Sequence, residues 1–392
     1  MKKTLAVFTG SRADYGLLRP LLSVLKERRK FSLKLIVGGA HFSRVFGATH
    51  REIRRDGFRI DARVRSLAGE DSEAAVAASI GRGVTGCAAA LERLSPAFLL
   101  LLGDRFETFS CAAAAGALRI PIIHLHGGEL TIGSPDEAWR HAITKLSHLH
   151  FTATQAYRRR VIQMGEDPRR VYNVGALGID NIRTIKRLSR PELERELGFS
   201  FGKMNLLVTI HSVARETPFS LRKVLAALSS FPAAKIIFTG SNADAGSREF
   251  LARIKRFTAG RPGRTAYFAS LGTNKYLSVV ACVDAVVGNS SSGIIEAPSL
   301  GIPTVNIGDR QEKRVRAASV IDCSDDTSAV RRAIRKALSP AFQRASARVV
   351  NPYGDGRTAL RIARLLEKEL KKIKTPKKSF YDLAFPFRRG TQ

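Results

Sequence analysis

The sequence predicts an α/β fold of two doubly wound, Rossmann-like domains facing a cleft, and three observations predict it. Short apolar runs alternate with longer amphipathic stretches, this pattern restarts after about residue 180, and a polar, helix-like stretch at 178–190 separates the two series. Runs that are apolar throughout suit strands of a parallel sheet whose faces are both covered by helices. In such sheets, ligands bind at the C-terminal ends of the strands.

In the first series, 5–9, 33–37, 98–102 and 120–125 read as buried strands, with helices over 17–28 and 106–118. In the second, 206–210, 235–239, 285–287 and 304–307 are the strands. This predicts domains at 1–178 and 179–355, followed by a segment 356–392 that ends in a basic tail with Phe380, Tyr381, Phe385 and Phe387 interleaved.

With 392 residues, 44% hydrophobic and 25% charged, the composition is that of an ordinary globular protein. The charge is unusual: 65 Lys and Arg against 34 acids leave a net +31. Such an excess raises a nucleic-acid or anionic-membrane hypothesis. The arginines are spread along the chain and no nucleic-acid motif accompanies them. The clusters Arg158-Arg159-Arg160, Arg331-Arg332 and Lys371-Lys372 therefore read as solvated helix faces. No nucleic-acid or membrane partner is expected. Cys87, Cys111, Cys282 and Cys323 lie far apart without metal spacing and read as buried, reduced thiols. A signal-peptide reading of the N-terminus fails at Ser11-Arg12-Ala13-Asp14, and no run of transmembrane length is expected, because Arg119 and Pro121 interrupt the most apolar region. A reduced cytoplasm is the expected compartment.

Five motifs follow strands. Thr9-Gly10-Ser11-Arg12-Ala13-Asp14-Tyr15-Gly16 is a Gly-containing strand-to-helix turn. Its backbone N–H groups suit phosphate and Arg12 adds a charge, but a plain capped turn explains it about equally well. Leu102-Gly103-Asp104-Arg105-Phe106-Glu107 puts Asp104 at a strand end, as a ligand-site carboxylate or as a helix N-cap.

The densest motif is His124-Leu125-His126-Gly127-Gly128-Glu129, followed by Asp136-Glu137 and Arg140-His141. Carboxylates and histidines around a Gly pair suit acid–base work at a carbon centre, and no familiar metal spacing is matched. His148 and His150 read as structural. His211, in Thr209-Ile210-His211-Ser212, is an open case. In Gly288-Asn289-Ser290-Ser291-Ser292-Gly293-Ile294-Ile295-Glu296, the serine hydroxyls and N–H groups, with Gly293, suit a diphosphate. Glu296 suits ribose hydroxyls, and Arg310 follows the next strand.

In this order the motifs resemble the hydrolysing UDP-N-acetylglucosamine 2-epimerases of bacterial sialic acid synthesis. The likeness runs from GSRADYG through LGDRFE, HLHGGE, DEAWRHAITKLSHLHF and GSNADAGS to NSSSGIIEAPSLGIPTVNIGDRQ and NPYGDGR. The resemblance implies the two-domain GT-B fold, with a final helix crossing back to the first domain. It implies loss of UDP from C1 as the C2 proton leaves, hydration of the resulting 2-acetamidoglucal, and release of N-acetylmannosamine. It implies a UDP-sugar substrate, neither metal nor cofactor, and a homo-oligomer, dimer or tetramer. By motif position Asp104 and Asp136 match the catalytic carboxylates. His126 stands where some relatives carry Glu, so the proton-transfer group is His126 or Glu129. His211, Ser290, Ser291 and Glu296 match nucleotide-binding positions, and Arg12 matches a diphosphate contact. Lys313 replaces a commoner Gly before Arg314.

Four rivals remain at this level. They are a non-hydrolysing 2-epimerase, an enzyme for UDP- or GDP-linked 2,4-diacetamido-trideoxy sugars, a GT-B glycosyltransferase and a basic nucleic-acid-binding protein.

Overall fold

The computed structural model describes residues 2–44, 47–68, 72–131, 134–211, 220–240, 247–373 and 377–384. Ser212, positions 241–246 of the GSNADAGS stretch, and Phe385 and Phe387 of the tail lie outside the described residues.

The chain forms two compact units. The first comprises Met1–Glu129, Ala138–Val174 and Leu360–Gln392; the second comprises Leu130–Glu137 and Gly175–Ala359. In the first, β1 (Lys3–Thr9), β2 (Phe31–Gly38), β3 (Ala62–Val64), β4 (Phe98–Leu102), β5 (Ile122–Leu125), β6 (Leu149–Thr152) and β7 (Val171–Asn173) make one parallel sheet in the order 3-2-1-4-5-6-7. In the second, β8 (Met204–Thr209), β9 (Ala234–Thr239), β10 (Thr265–Phe268), β11 (Ala285–Gly288), β12 (Thr304–Ile307) and β13 (Val320–Cys323) make another, in the order 10-9-8-11-12-13. Each order reverses beside its first strand, so each unit has a switch point, between β1 and β4 and between β8 and β11.

The apolar runs supply the cores. Leu99, Leu101, Ile122 and Ile143 are fully buried in the first unit, and Leu206, Val208, Ile236 and Val287 in the second. Strands β3, β6, β7, β10 and β13 were not evident in the sequence. They are three or four residues long and mix polar with apolar side chains, as in Leu149-His150-Phe151-Thr152.

The first helix starts at Arg12 rather than 17, because Ser11 accepts the Asp14 N–H at 3.3 Å and caps it. The 178–190 stretch is not one helix. Leu177–Thr184 ends before Arg190–Leu197, which opens on a capping box of Ser189 and Glu192.

Two further expectations need correction. Cys87 and Cys111 are buried, but Cys282 and Cys323 are only half-buried, since one ends a helix and the other an edge strand. The helix Glu73–Leu94 is long and apolar enough to cross a membrane by length and composition, against the expectation that no run reaches that length. Its apolar face packs on the helix Phe106–Ala117 within the first unit, where Cys87, Ala90 and Leu91 join the core.

Candidate functional site

In the first unit, the side chains of interest gather where β1, β4 and β5 end. After β4 the chain turns at Gly103, φ +82°, a conformation glycine adopts without strain. His124, fully buried on β5, secures that turn. Its Nε2 donates to the Gly103 carbonyl at 2.8 Å, and its Nδ1 accepts from the Thr144 hydroxyl at 3.1 Å. Burial pushes the His124 pKa down to about 3, so the ring stays neutral and can play both parts.

The next residue, Asp104, ion-pairs with the buried guanidinium of Arg140, from the helix Asp136–Leu146. Asp104 is not the N-cap of the helix Phe106–Ala117; that position belongs to Arg105, which makes no side-chain cap. Instead Arg105 forks onto the buried Glu107 at 3.1 and 3.2 Å. The Glu107 side chain lies against Gly10 and Gly39 of the loops after β1 and β2, where a Cβ on either would come within 2.9 Å of it.

The HLHGGE turn is specified by sterics. His126 has φ +64°, and its N–H donates to the Phe151 carbonyl at 2.9 Å. A Cβ at Gly128 would stand 2.5 Å from the Tyr157 carbonyl, so the turn needs glycine there. The result brings His126 Nδ1 to 2.9 Å from Glu129 Oε1, with both side chains largely buried. An ionised carboxylate only accepts, so Nδ1 donates and the ring's lone pair falls on Nε2.

Around Gly10 the capped-turn reading describes what Ser11 does, while the Arg12 side chain is exposed in the first helical turn. Asp14 accepts the Gly10 N–H at 3.3 Å, and its carboxyl is pushed up to about 6, chiefly by burial. Asp136 opens its helix with its N–H on Ser134 Oγ at 3.3 Å, within the segment that groups with the second unit. His150 is structural: it is buried in β6 and bonded to Glu166 at 2.9 Å.

In the second unit the centre is Asn289, fully buried after β11. Its side chain grips the residue after β8 on both sides: Oδ1 accepts the His211 N–H at 2.7 Å, and Nδ2 donates to the His211 carbonyl at 2.9 Å. Its own carbonyl takes Gln311 Nε2 at 2.9 Å and Arg310 Nη1 at 3.1 Å. His211 and Arg310, 99 positions apart in the numbering, are thereby joined through one residue, the first at its side-chain amide and the second at its main-chain carbonyl. His211 is held neutral, its pKa lowered to about 3 by burial and then by Arg310. Only glycine fits at 288, where a Cβ would lie 1.9 Å from the Thr209 carbonyl.

Ser290 caps the short helix Ser291–Ile295, accepting the Ser292 N–H at 3.4 Å. Ser291 is half-buried, and Gly293 packs against Thr304. Ser292 donates to Glu296 Oε2, and Tyr276 donates to Ser292 at 2.7 Å. Dehydration of its carboxyl pushes Glu296 up to about 7. Lys313 has φ +59°, the left-handed geometry that favours the glycine it replaces. Arg314, beside it, donates to the Leu130 carbonyl at 2.9 Å.

The sequence motifs contained Arg140, Arg105, Glu107, His124, Asn289 and Gln311 without giving them a role, and left out Tyr276 altogether. Arg140 carried a signal, one helical turn after Asp136; Tyr276 carried none. Among the described residues, no three His, Cys, Asp or Glu side chains are grouped to hold a metal ion. Chemically, the first unit offers an imidazole–carboxylate pair and a carboxylate–guanidinium pair. The second offers hydroxyl donors around the Glu296 carboxyl, with the Arg310 guanidinium on the Asn289 carbonyl.

A family model described as UDP-N-acetylglucosamine 2-epimerase matches residues 23–367. The Escherichia coli "Polysialic acid biosynthesis protein P7" is 37% identical over 387 residues, covering 98% of each chain. The Campylobacter jejuni "GDP/UDP-N,N'-diacetylbacillosamine 2-epimerase (hydrolyzing)" is 35% identical over 82% of this chain and 84% of its own. A crystal structure of UDP-GlcNAc 2-epimerase from Neisseria meningitidis bound to UDP-GlcNAc matches with a TM-score of 0.72 at 19% identity, covering 93% of this chain and 100% of that one.

Proposed function

Because the chain belongs to the UDP-N-acetylglucosamine 2-epimerase family, we propose that it is a hydrolysing member, converting UDP-N-acetylglucosamine and water to N-acetylmannosamine and UDP. The observation that carries the reading is the His126–Glu129 pair, which presents an oriented proton acceptor at the end of a strand. The hydrolysing course draws on the likeness to a relative named as hydrolysing, and the sugar on the likeness to a polysialic acid biosynthesis protein.

In this reading, the C2–H bond of the sugar breaks and its electrons form the C1–C2 double bond as the C1–O bond to UDP breaks. Water then adds its oxygen to C1, and C2 takes a proton on the opposite face. His126 Nε2 accepts one of these protons, with Glu129 orienting the ring and stabilising the imidazolium. Asp104 and Asp136 are the other proton-transfer groups, Asp104 held by Arg140. In the second unit, Glu296 accepts from the ribose hydroxyls. The serine loop Ser290-Ser291-Ser292-Gly293, with His211 and Arg310, holds the diphosphate end, and Arg12 adds a charge to it. The enzyme works in the cytoplasm.

A second reading is favoured by the Campylobacter jejuni relative: hydrolysis with 2-epimerisation of a UDP- or GDP-linked diacetylbacillosamine. One experiment separates the two. The purified protein is incubated with UDP-N-acetylglucosamine and, in parallel, with the UDP- and GDP-linked diacetamido sugars, in EDTA, and products are followed by NMR. Free N-acetylmannosamine with UDP supports the first reading. Turnover of a diacetamido sugar alone replaces it with the second. Release of a UDP-linked epimer rejects hydrolysis.

A further inference from the structure

Glu296 alone does not define a ribose contact, because a carboxyl on a short helix can rotate. Its setting removes that freedom. Ser292, one turn earlier, donates to Oε2, and among the described residues Oε1 has no hydrogen-bond partner. Ser292 Oγ has a single hydrogen. If it goes to the carboxylate, the serine must be fixed by a donor from elsewhere.

That donor is Tyr276, on the helix Gly272–Cys282, whose hydroxyl lies 2.7 Å from Ser292 Oγ. Tyr276 has also spent its only hydrogen, so its oxygen must in turn accept. Thr209, at the end of β8, stands within hydrogen-bonding reach of it, and Thr209 Oγ1 is 2.6 Å from Thr239 Oγ1 at the end of β9. The chain Thr239, Thr209, Tyr276, Ser292, Glu296 thus passes from two strand ends through one helix to another. Thr209, Tyr276 and Ser292 each take one donor role and one acceptor role, so the chain has one consistent direction from Thr239 to Oε2. The open Oε1 is left as the acceptor for an incoming pair of hydroxyls.

We propose that Tyr276 is a positioning residue for nucleotide recognition, orienting Ser292 and through it the Glu296 carboxylate toward the ribose diol of a uridine diphosphate. The inference rests on the reading of the second unit as the nucleotide site. It adds that ribose discrimination depends on a hydroxyl that touches no substrate atom.

The test is calorimetry with UDP and with 2′,3′-dideoxy-UDP on the full-length wild type and on Tyr276→Phe, which keeps the ring and removes only the oxygen. Loss of one net hydrogen bond in the chain is expected to weaken UDP binding by about three- to tenfold. Dideoxy-UDP, which lacks the diol, is expected to bind both proteins within about twofold. Ser292→Ala, with a smaller change of volume, should repeat the loss for UDP and guards against a folding defect in Tyr276→Phe. If Tyr276→Phe loses affinity equally for both nucleotides, or for neither while the wild type prefers UDP, the inference is overturned and the nucleotide reading stands. If the wild type itself shows no preference for UDP over dideoxy-UDP, the assignment of Glu296 to ribose falls, and this inference falls with it.

Discussion

In the first unit, Asp104 meets the Arg140 guanidinium and Glu129 meets the His126 imidazole, whereas in the second Glu296 meets, among the described residues, the Ser292 hydroxyl alone. Both regions sit at the switch point of a parallel sheet with the same strand order around it. The backbone therefore offers similar platforms, and the side chains make them different. Charge pairing places the first unit's carboxylates beside an imidazole that can take up a proton and a guanidinium that keeps its charge. Among the described residues Glu296 pairs with no cation, and dehydration pushes its pKa up to about 7 against the pull of the Ser292 hydrogen bond. Proton-transfer chemistry calls for the first arrangement. Recognition of a neutral diol is served by the second, with His211 also held uncharged by burial.

The largest expected effect tests whether the paired carboxylates do the chemistry. Asp104→Asn should lower turnover by about a hundredfold to ten-thousandfold while UDP affinity persists. Wild-type turnover in D2O should place deuterium at C2 of the product, read by NMR. Near-normal turnover in the variant, or no deuterium, would remove proton transfer from this region and break the contrast.

A finer division lies within the pair. His126→Gln should cost about a hundredfold or more in kcat, and Glu129→Gln clearly less, because Glu129 orients the ring and stabilises its charge but does not itself take the proton. Equal losses in steady-state kinetics would make Glu129 a proton-transfer group in its own right.

In the second unit, Glu296→Ala should weaken UDP binding by about 1.5–3 kcal/mol, measured by calorimetry, and leave kcat at saturating substrate comparatively intact. A fall in kcat as large as that of Asp104→Asn would erase the distinction between the two regions.

The pH dependence follows from the same carboxyl. Ionised Glu296 is the better acceptor for hydroxyls, so UDP affinity should decline as pH falls through about 7, where Glu296 takes up a proton. Glu296→Gln should lack that component; a wild-type profile identical to the variant's would contradict it.

The smallest effect concerns stability. A pKa raised from 4.5 to about 7 means the folded state binds the proton more tightly than the unfolded one. Its stabilising contribution is present below pH 4.5 and lost as pH rises through 7. Glu296→Gln should therefore melt higher than the ligand-free wild type at pH 8, by on the order of 2–4 °C, with the gap closing toward pH 5. A gap of the opposite sign in scanning calorimetry would mean that the carboxylate is better solvated than its surroundings imply.

Much of this was legible in the sequence because it rests on local rules. Runs such as Leu99-Leu100-Leu101 can only be buried, and Gly288 and Gly128 mark turns that admit no Cβ. The motif residues after β1, β4, β5, β8 and β11 fall at strand ends because parallel sheets place their sites there. Short polar-mixed strands such as β6 and β13 were not legible, since a neighbour in the sheet, and no pattern of their own, makes them strands.

By itself the sequence determined two α/β units, the strand-end loops and the residue types gathered on them, since hydrophobic period and turn chemistry are properties of adjacent residues. Only the tertiary structure decided the partners: that Asp104 pairs with Arg140 and does not cap, that Asn289 joins His211 to Arg310, and that Tyr276 reaches Ser292. A hydrogen bond or ion pair depends on the position and direction of two groups to within a fraction of an ångström. Between residues tens of positions apart, the packing of the sheets and helices sets that geometry.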